Sequence, residues 1–561
     1  IYYGNPVDSI IYFKSRVHHA DRGESECHFC GNVNPEQIFN IVESAIVDEH
    51  GNLSKTRKVS PTEWYAKHLI SKTKPEYDKK EYYDKTPTVE FQTPNKFTQY
   101  KVFTIRDTLS KLTNIQYLVI NLLEAPLLAF MLAFIIKFFN VDEANLKGYT
   151  LFDNSNLPVY IFMAVIVAIF IGLTVSAEEI IKDRKILNRE RFLHLSWFSY
   201  LCSKLSVLMV ISAFQALTFV LVGNLIMEIK GMFFQYWLAL FSAWIGASIL
   251  GLIISDSFKT VVTIYILIPF LVIPQLILSG IIVPYDKLNP KISKPNTIPW
   301  YGEIITARWA YEALAVYQYK ENKYERDLYP YDKVLSTATY KKDYWIKSLK
   351  NKVSYIKRNA NDSTKRAEIQ KAIKLINNEI KKELATNKYI SSPYSIDLML
   401  VETFDSTIIA QTETYLDNLS IYYINLYNKT NHRKDNMIQH FEDSLGKEYV
   451  AMREAYTNRS LTEFVRNTNS IDRIIEYKNS LHQKIDPIYK DPENSFIKAH
   501  FYAPYKKVFG QFYPTYIVNI IVLWIINIIL FVILYFRGLH RTLTWFGKMN
   551  EKIRKKVILK S

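Results

Sequence analysis

The chain has 561 residues, 49% hydrophobic, 14% aromatic and 22% charged, and carries a net charge of +16. Only 16 Gly and 20 Pro exclude a collagenous or wholly disordered chain, and three cysteines exclude a scaffold built on disulfides. Mean hydropathy near zero conceals an uneven distribution, because the apolar residues gather into long runs separated by stretches rich in Lys, Asn, Tyr and Asp. Basic clusters flank these runs, so the excess charge points to a bilayer surface and not to nucleic acid.

Residues 1–100 open on Ile1-Tyr2-Tyr3-Gly4, which reads like the interior of a domain. No signal peptide precedes it, and the chain is expected to be the C-terminal part of a longer polypeptide. Within this stretch His18-His19 precede Cys27-His28-Phe29-Cys30-Gly31. Two thiolates at CxxC spacing, completed by His18 and His19, form a candidate zinc site. No second cysteine pair exists, since Cys202 lies in an apolar run, so two ordinary loop thiols are the competing reading, with redox chemistry a third.

Six segments are long and apolar enough to cross about 30 Å of hydrocarbon: Asn114–Phe139, Leu157–Ser176, Phe198–Val222, Phe233–Ser255, Val261–Leu278 and Tyr513–Phe536. Lys101, Arg106 and Lys111 precede the first, and Lys182, Arg184, Lys185, Arg189 and Arg191 lie between the second and third. Arg537, Arg541, Lys548, Lys552, Arg554, Lys555 and Lys556 follow the sixth. The 141–156 loop is acidic by contrast, with Asp142, Glu143 and Asp153 against Lys147. The positive-inside rule then predicts a multi-pass protein of the inner (plasma) membrane with both ends cytoplasmic. Asn121 and Glu124 share one face of the first run and are candidates for a substrate pathway, with buried structural hydrogen bonding as the alternative. Gln215 and Asn224 are weaker cases of the same kind.

Residues 279–512 fall on the outer side. Ser279-Gly280-Ile281-Ile282-Val283-Pro284 is too short to cross, and reads as a re-entrant element or as the frayed end of the fifth span. Ala307–Leu314 reads as a helix with aromatics suited to the interface. Beyond Lys320 the composition turns polar and helical. Ile369, Ile373, Ile376, Ile380 and Leu384 form one apolar stripe, and Leu416, Leu419, Tyr423 and Leu426 another. No HExxH, GxSxG or calcium loop appears, so binding or gating suits this domain better than chemistry.

GxxxxGK[ST] is absent throughout, and Leu278-Ser279-Gly280 is a chance likeness to an ABC signature; this sequence cannot hydrolyse ATP unaided. The layout nonetheless resembles the membrane half of an ABC exporter of the G-subfamily, type II (ABC-2) kind. The resemblance rests on Ile1-Tyr2-Tyr3-Gly4 with Ile11-Tyr12-Phe13, Asn34-Pro35-Glu36-Gln37-Ile38-Phe39, Arg106-Asp107, Glu178–Arg191, Ser279–Pro284 and Ala307–Leu314, in that order. It covers about 1–320 and 505–561. It implies a mainly α fold: a six-helix transmembrane domain with a large helical extracytoplasmic insert between spans five and six. The implied domains are the end of an ATPase domain with its linker and connecting helix (1–100), spans one to five (101–278), the re-entrant element (279–320), the insert (321–510) and span six with a basic tail (511–561). It also implies a homodimer driven by ATP and Mg in an ATPase domain supplied in cis or trans. Arg184, Arg189, Glu190 and Arg191 would be the coupling segment, and the cargo would be lipidic or amphipathic. Two departures weaken the transfer: the large polar insert and the missing ATPase core. A mechanotransmitting machine acting on an envelope partner, or a membrane receptor, are the alternatives.

Overall fold

The computed structural model describes residues 6–17, 36–47, 53–70, 94–139, 148–293, 297–386, 406–494 and 496–558. The chain divides into two units, 1–92 and 93–561. In the first, α1 (Pro6–Arg16) and α2 (Glu36–Glu43) precede a hairpin of β1 (Ala45–Val47) and β2 (Leu53–Arg57), then α3 (Pro61–Ile70). Phe13, Ile41, Val59 and Trp64 form its small core, with the Phe13 and Trp64 rings edge-on at 5.3 Å. A capping box starts α3: the Glu63 amide donates to Ser60 Oγ at 3.3 Å, and the Ser60 amide to Glu63 Oε2 at 3.0 Å.

The second unit begins with the amphipathic α4 (Lys96–Thr113), capped by Asn95, followed by the apolar α5 (Ile115–Ile136) and α6 (Leu157–Ser176). A short α7 (Glu179–Arg189) leads into α8 (Trp197–Met227), α9 (Phe233–Ser257) and α10 (Val261–Ile277). Among the described residues five helices are long and apolar enough to cross a bilayer: α5, α6 with its extension into α7, α8, α9 and the later α19 (Thr515–Tyr535). Where the sequence predicts a fifth run over Val261–Leu278, α10 is equally apolar but only 17 residues long, and it contains Pro269 and Pro274. Tyr265, near its start, donates to Glu178 beside α7 at 2.6 Å. Gln275, near its end, accepts from Thr306 and the Ala307 amide, at 3.2 and 3.0 Å.

At the centre of the bundle α9 packs on α6, α8 and α19. The α6–α9 contact is too close for side chains: a Cβ on Gly172 would lie 2.6 Å from the Trp244 carbonyl, and one on Gly251 2.9 Å from that of Leu173. Gly246 leaves room for Asn527 of α19, whose amide donates to the Ser242 carbonyl at 3.0 Å.

Ser279–Pro284 forms bends, not a helix, and leads through α11 (Trp300–Ile304) to α12 (Thr306–Lys320). The sequence reading of Ala307–Leu314 as an interfacial helix is corrected here: every residue from Ala307 to Val316 is buried, with α12 packed between α6, α9 and α19. Its polar residues are met inside the protein. Glu312 Oε2 accepts from Lys506 at 2.7 Å, Asn519 at 3.0 Å and Arg308 at 3.4 Å, while Oε1 accepts from the Tyr502 amide at 3.2 Å. Arg308 also reaches Glu303 at 2.5 Å, so two cations and two carboxylates neutralise one another.

The polar segment forms a helical module from α13 (Glu325–Thr339), a π-helical turn (Tyr340–Trp345), α14 (Ile346–Asn359), α15 (Arg366–Thr386) and α16 (Ser406–Leu445). Ile373, Ile376 and Ile380 are buried against Leu416, Leu419 and Tyr423, as both stripes predict; Ile369, Leu384 and Leu426 flank them. Trp345 donates its indole N–H to Glu379 at 2.7 Å. Then follow α17 (Lys447–Tyr456), α18 (Arg459–Arg466) and two short hairpins, β3 (Ile474–Tyr477) with β4 (Ser480–Gln483) and β5 (Tyr505–Val508) with β6 (Gln511–Pro514). The module clasps the 148–156 loop: Asn458 donates to the carbonyls of Leu151 and Asn154, both at 2.7 Å. Its two ends meet, since Lys320 Nζ lies 4.1 Å above the Tyr505 ring. After α19 the chain turns into α20 (Gly538–Ile558).

Gly172→Val should lower stability by about 1–3 kcal/mol, because a backbone carbonyl cannot move aside as a side chain can. Gly547→Ala, with open space around it, should leave the bundle intact. Thermal unfolding of both variants in detergent tests this, and an unchanged Gly172→Val midpoint would contradict the close α6–α9 contact.

Candidate coupling site

Four helix ends meet at one end of the bundle. The starts of α4 and α8 are tied by backbone-to-side-chain bonds: the Ser196 amide donates to Gln99 Oε1 at 2.7 Å, and Ser199 Oγ to the Lys96 carbonyl at 2.8 Å. A left-handed residue, His194 (φ 50°), turns the chain from α7 into α8. This fold brings Asp107, Lys111, Glu179, Asp183 and Lys204 together. Lys204 Nζ contacts Asp107 at 2.5 Å, Asp183 at 2.9 Å and Glu179 at 3.0 Å. Lys111 contacts Asp107 at 2.8 Å and Glu179 at 2.7 Å, and Tyr200 donates to Asp183 at 2.9 Å. Burial by itself would raise the Asp107 carboxyl, but the Lys204 and Lys111 ammonium groups outweigh it and hold it below the ordinary carboxylate range.

The predicted coupling residues surround this cluster. Arg184 donates from one guanidinium nitrogen to the carbonyls of Phe258 at 2.8 Å, Ser255 at 3.0 Å and Asp256 at 3.2 Å. A cation thereby closes the C-terminus of α9, where carbonyls lack intrahelical partners and the helix dipole is negative. Ser255 Oγ in turn accepts from the amides of Ile180 and Ile181, both at 3.0 Å. Glu190 Oε1 pairs with Arg106 of α4 at 2.7 Å, while its Oε2 is buried without a partner. Arg189 is exposed, and Arg191 sits in the short turn Glu190–Leu193 after α7. Arg537, beyond α19, completes the set with Asp256 at 3.2 Å. Sequence reasoning passed over Lys204, although it is a lone cation inside an apolar run, the pattern that marks a charge with a structural or functional partner.

The pathway candidates separate. Asn121 is buried, and its carbonyl accepts from Gln215 of α8 at 3.1 Å. Glu124, one turn on, is half-buried, and its carboxylate has no hydrogen bond or ion pair among the described residues. Asn224 is buried with both amide atoms unpartnered. At the opposite end a cavity of about 420 Å³ lies between the 280–298 segment and the polar module. Ile281, Tyr285, Phe464 and Phe501 give it apolar walls, and Lys484, paired with Asp286 at 3.0 Å, gives it a charged edge. His18, His19, Cys27 and Cys30 lie outside the described residues.

Lys204→Met should destabilise by about 3–5 kcal/mol, because it strips a buried cation from three carboxylates; thermal unfolding checks this. A folded-state carboxyl below its unfolded value adds stability that is present above pH about 4 and lost as pH falls through that range. The contribution of Asp107 should therefore vanish on acidification. An Asp107→Asn variant whose deficit against wild type persists undiminished below that range would contradict the Asp107 assignment.

Residues 98–319 match the family model described as ABC-2 type transporter. No curated protein matches the chain. The matched residues take in α4, with Asp107 and Lys111, the coupling residues of α7 and α12. This part of the chain is thus similar to the membrane domain of ABC-2 type transporters, and with its long apolar helices it supports an ABC-2 permease, the multi-pass membrane component of a transporter.

Proposed function

We propose that the chain is the permease region of a G-subfamily-type, ATP-driven exporter that works as a homodimer and moves a lipidic or amphipathic compound. The observation that carries this reading is the coupling cluster: α7 is bonded to α4, α8 and the end of α9, so a push on α7 moves all of them together. ATP and Mg act in an ATPase domain, whose C-terminal end with its linker and connecting helix is residues 1–100; the catalytic motifs are not in this sequence. Closure of two such domains would press on Arg184–Arg191 and rock the bundle between inward- and outward-open states. Two copies are needed because one bundle encloses no pathway, and identical chains pair about a two-fold axis.

Six crossings, with both ends cytoplasmic, agree with two contacts. The module around Asn458 holds the 148–156 loop, so the two share a side, and α10 bonds Glu178 near one end and Thr306 near the other. At about 1.5 Å per residue α10 falls short of the hydrocarbon thickness, and the apolar bends of 279–283 make up the difference. An amphipathic cargo suits the mixed lining of the outer cavity and the lone carboxylate of Glu124 within an apolar helix. A second reading, force transmission to an envelope partner, is favoured by the size of the module and its clasp on the neighbouring loop.

Glu190→Ala and Arg106→Ala should each leave ATP turnover by the assembled transporter largely intact while cutting transport in proteoliposomes at least severalfold. Unchanged transport in both would remove α7 as the lever. Joining Lys320 to Tyr505, which already touch, should preserve lipid-stimulated ATP turnover if the module is accessory to export, whereas loss of export with an intact fold favours the second reading. Labelling of a single cysteine at Ile376 from the same side as residue 1 would overturn the topology.

A further inference from the structure

The helix that follows the last span has no part in the transport reading, and it is built unlike its neighbours. Arg537 adopts a left-handed conformation (φ 53°) that ends α19. Its guanidinium is held by Asp256 at 3.2 Å and lies 4.2 Å from the Trp197 ring centroid, so the turn is fixed where α9 ends and α8 begins. Leu539 still packs on the bundle, but every residue from Arg541 to Met549 is exposed. The exposed set includes Leu543, Trp545, Phe546 and Met549, large apolar surfaces that water alone would not be expected to cover.

The sequence of α20 has two opposed faces, the apolar one interrupted by Asn550 and Arg554, with Trp545 at the edge of the basic one. At 3.6 residues per turn Leu539, Leu543, Phe546, Ile553 and Val557 fall on one face, and Arg541, Lys548, Lys552 and Lys555 on the opposite one. From Arg537 to Ile558 seven Lys and Arg face a single acid, Glu551. Apolar and aromatic residues on one side with a basic row on the other suit a helix lying in the headgroup layer. The position agrees: α20 starts within two residues of a helix long enough to cross the bilayer, so its apolar face is delivered to the depth where acyl chains begin.

We infer that α20 is a monotopic anchor, lying along the leaflet at which α19 ends. Its apolar face sits at the acyl boundary, and the Lys548–Lys555 row lies against anionic lipid phosphates. The charge excess selects an anionic surface, because each Lys or Arg near such a surface strengthens binding about fivefold. The anchor would pin the ends of α8, α9 and α19, and with them the coupling cluster, to the membrane plane. This inference needs only that α19 crosses the bilayer, and it survives if the cargo or the lever is wrong.

The test uses the full chain in lipid nanodiscs, with Cys27, Cys30 and Cys202 replaced by Ser and a nitroxide on Phe546→Cys or Lys548→Cys. With phosphatidylglycerol present, the label at 546 should collide with oxygen severalfold more often than with a water-soluble nickel chelate, and the label at 548 should show the reverse. Omitting the anionic lipid, or combining Lys548→Glu, Lys552→Glu and Lys555→Glu, should raise nickel access at 546 severalfold. Equal nickel access at 546 and 548 in anionic discs would overturn the proposal, leaving the helix in water. Shielding of 546 from both reagents whatever the lipid would also overturn it, by assigning that face to a protein partner.

Discussion

The charges buried most deeply in this bundle sit in opposed sets, and the sets fix which helix ends can be neighbours. A lone charge in a low-dielectric interior is costly, whereas a set whose members come from different elements is stable only when all of them arrive together. At one end Lys204 from α8 meets Asp107 from α4 and Glu179 and Asp183 from α7. At the other, Glu312 from α12 meets Lys506 from β5 and the Asn519 amide from α19. The Glu312 carboxyl is held low there, because Lys506 and Arg308 outweigh the rise that burial alone would cause. Neither set forms until segments far apart in sequence are in place, so each acts as a check on register that an apolar interface does not supply.

The long apolar helices and the two stripes of the polar module were legible in the sequence, because an unbroken apolar run and a helical repeat each extend over many residues. The signals that failed were short or nonlocal. The β3–β4 hairpin has four-residue strands and turns through Lys478 and Asn479, both left-handed, without the Asn-Gly pair that announces such a turn. Helix α12 carries Arg308, Glu312 and several tyrosines and so reads as amphipathic. Its burial depends on Lys506 and Asn519, 194 and 207 residues beyond Glu312, and no local pattern encodes that pairing. At the candidate coupling site Arg184 and Glu190 stood out through their basic, charged surroundings, while Lys204 was hidden by the apolar run around it.

The polar module has a closed neck. The family match ends at residue 319, and the contact between Lys320 and Tyr505 brings the entering and leaving strands of chain together. A module whose ends touch constrains little of the chain on either side of it. Yet the neck is not inert, because Tyr502 and Lys506, on either side of Tyr505, supply partners to Glu312 inside the bundle. Any displacement of the module is thus felt first at α12, and through Asn519 at the top of the last span.

Helix α19 is the element common to both ends, bonded to the Glu312 set through Asn519 and to the end of α9 through Arg537 and Asp256. It also lies along α9 with Asn527 bonded across to Ser242, and the glycine contacts between α6 and α9 leave no slack for one to slide past the other. On the proposed lever reading, movement imposed at α7 would travel as rotation of the whole α6–α9–α19 core, because packed interiors shift as bodies and do not bend continuously. The edge element is α10, which holds two prolines, packs chiefly on α6 and turns much of its surface outward. A rigid core hinged against a proline-broken edge helix makes the edge, and not the centre, the place where the bundle would open.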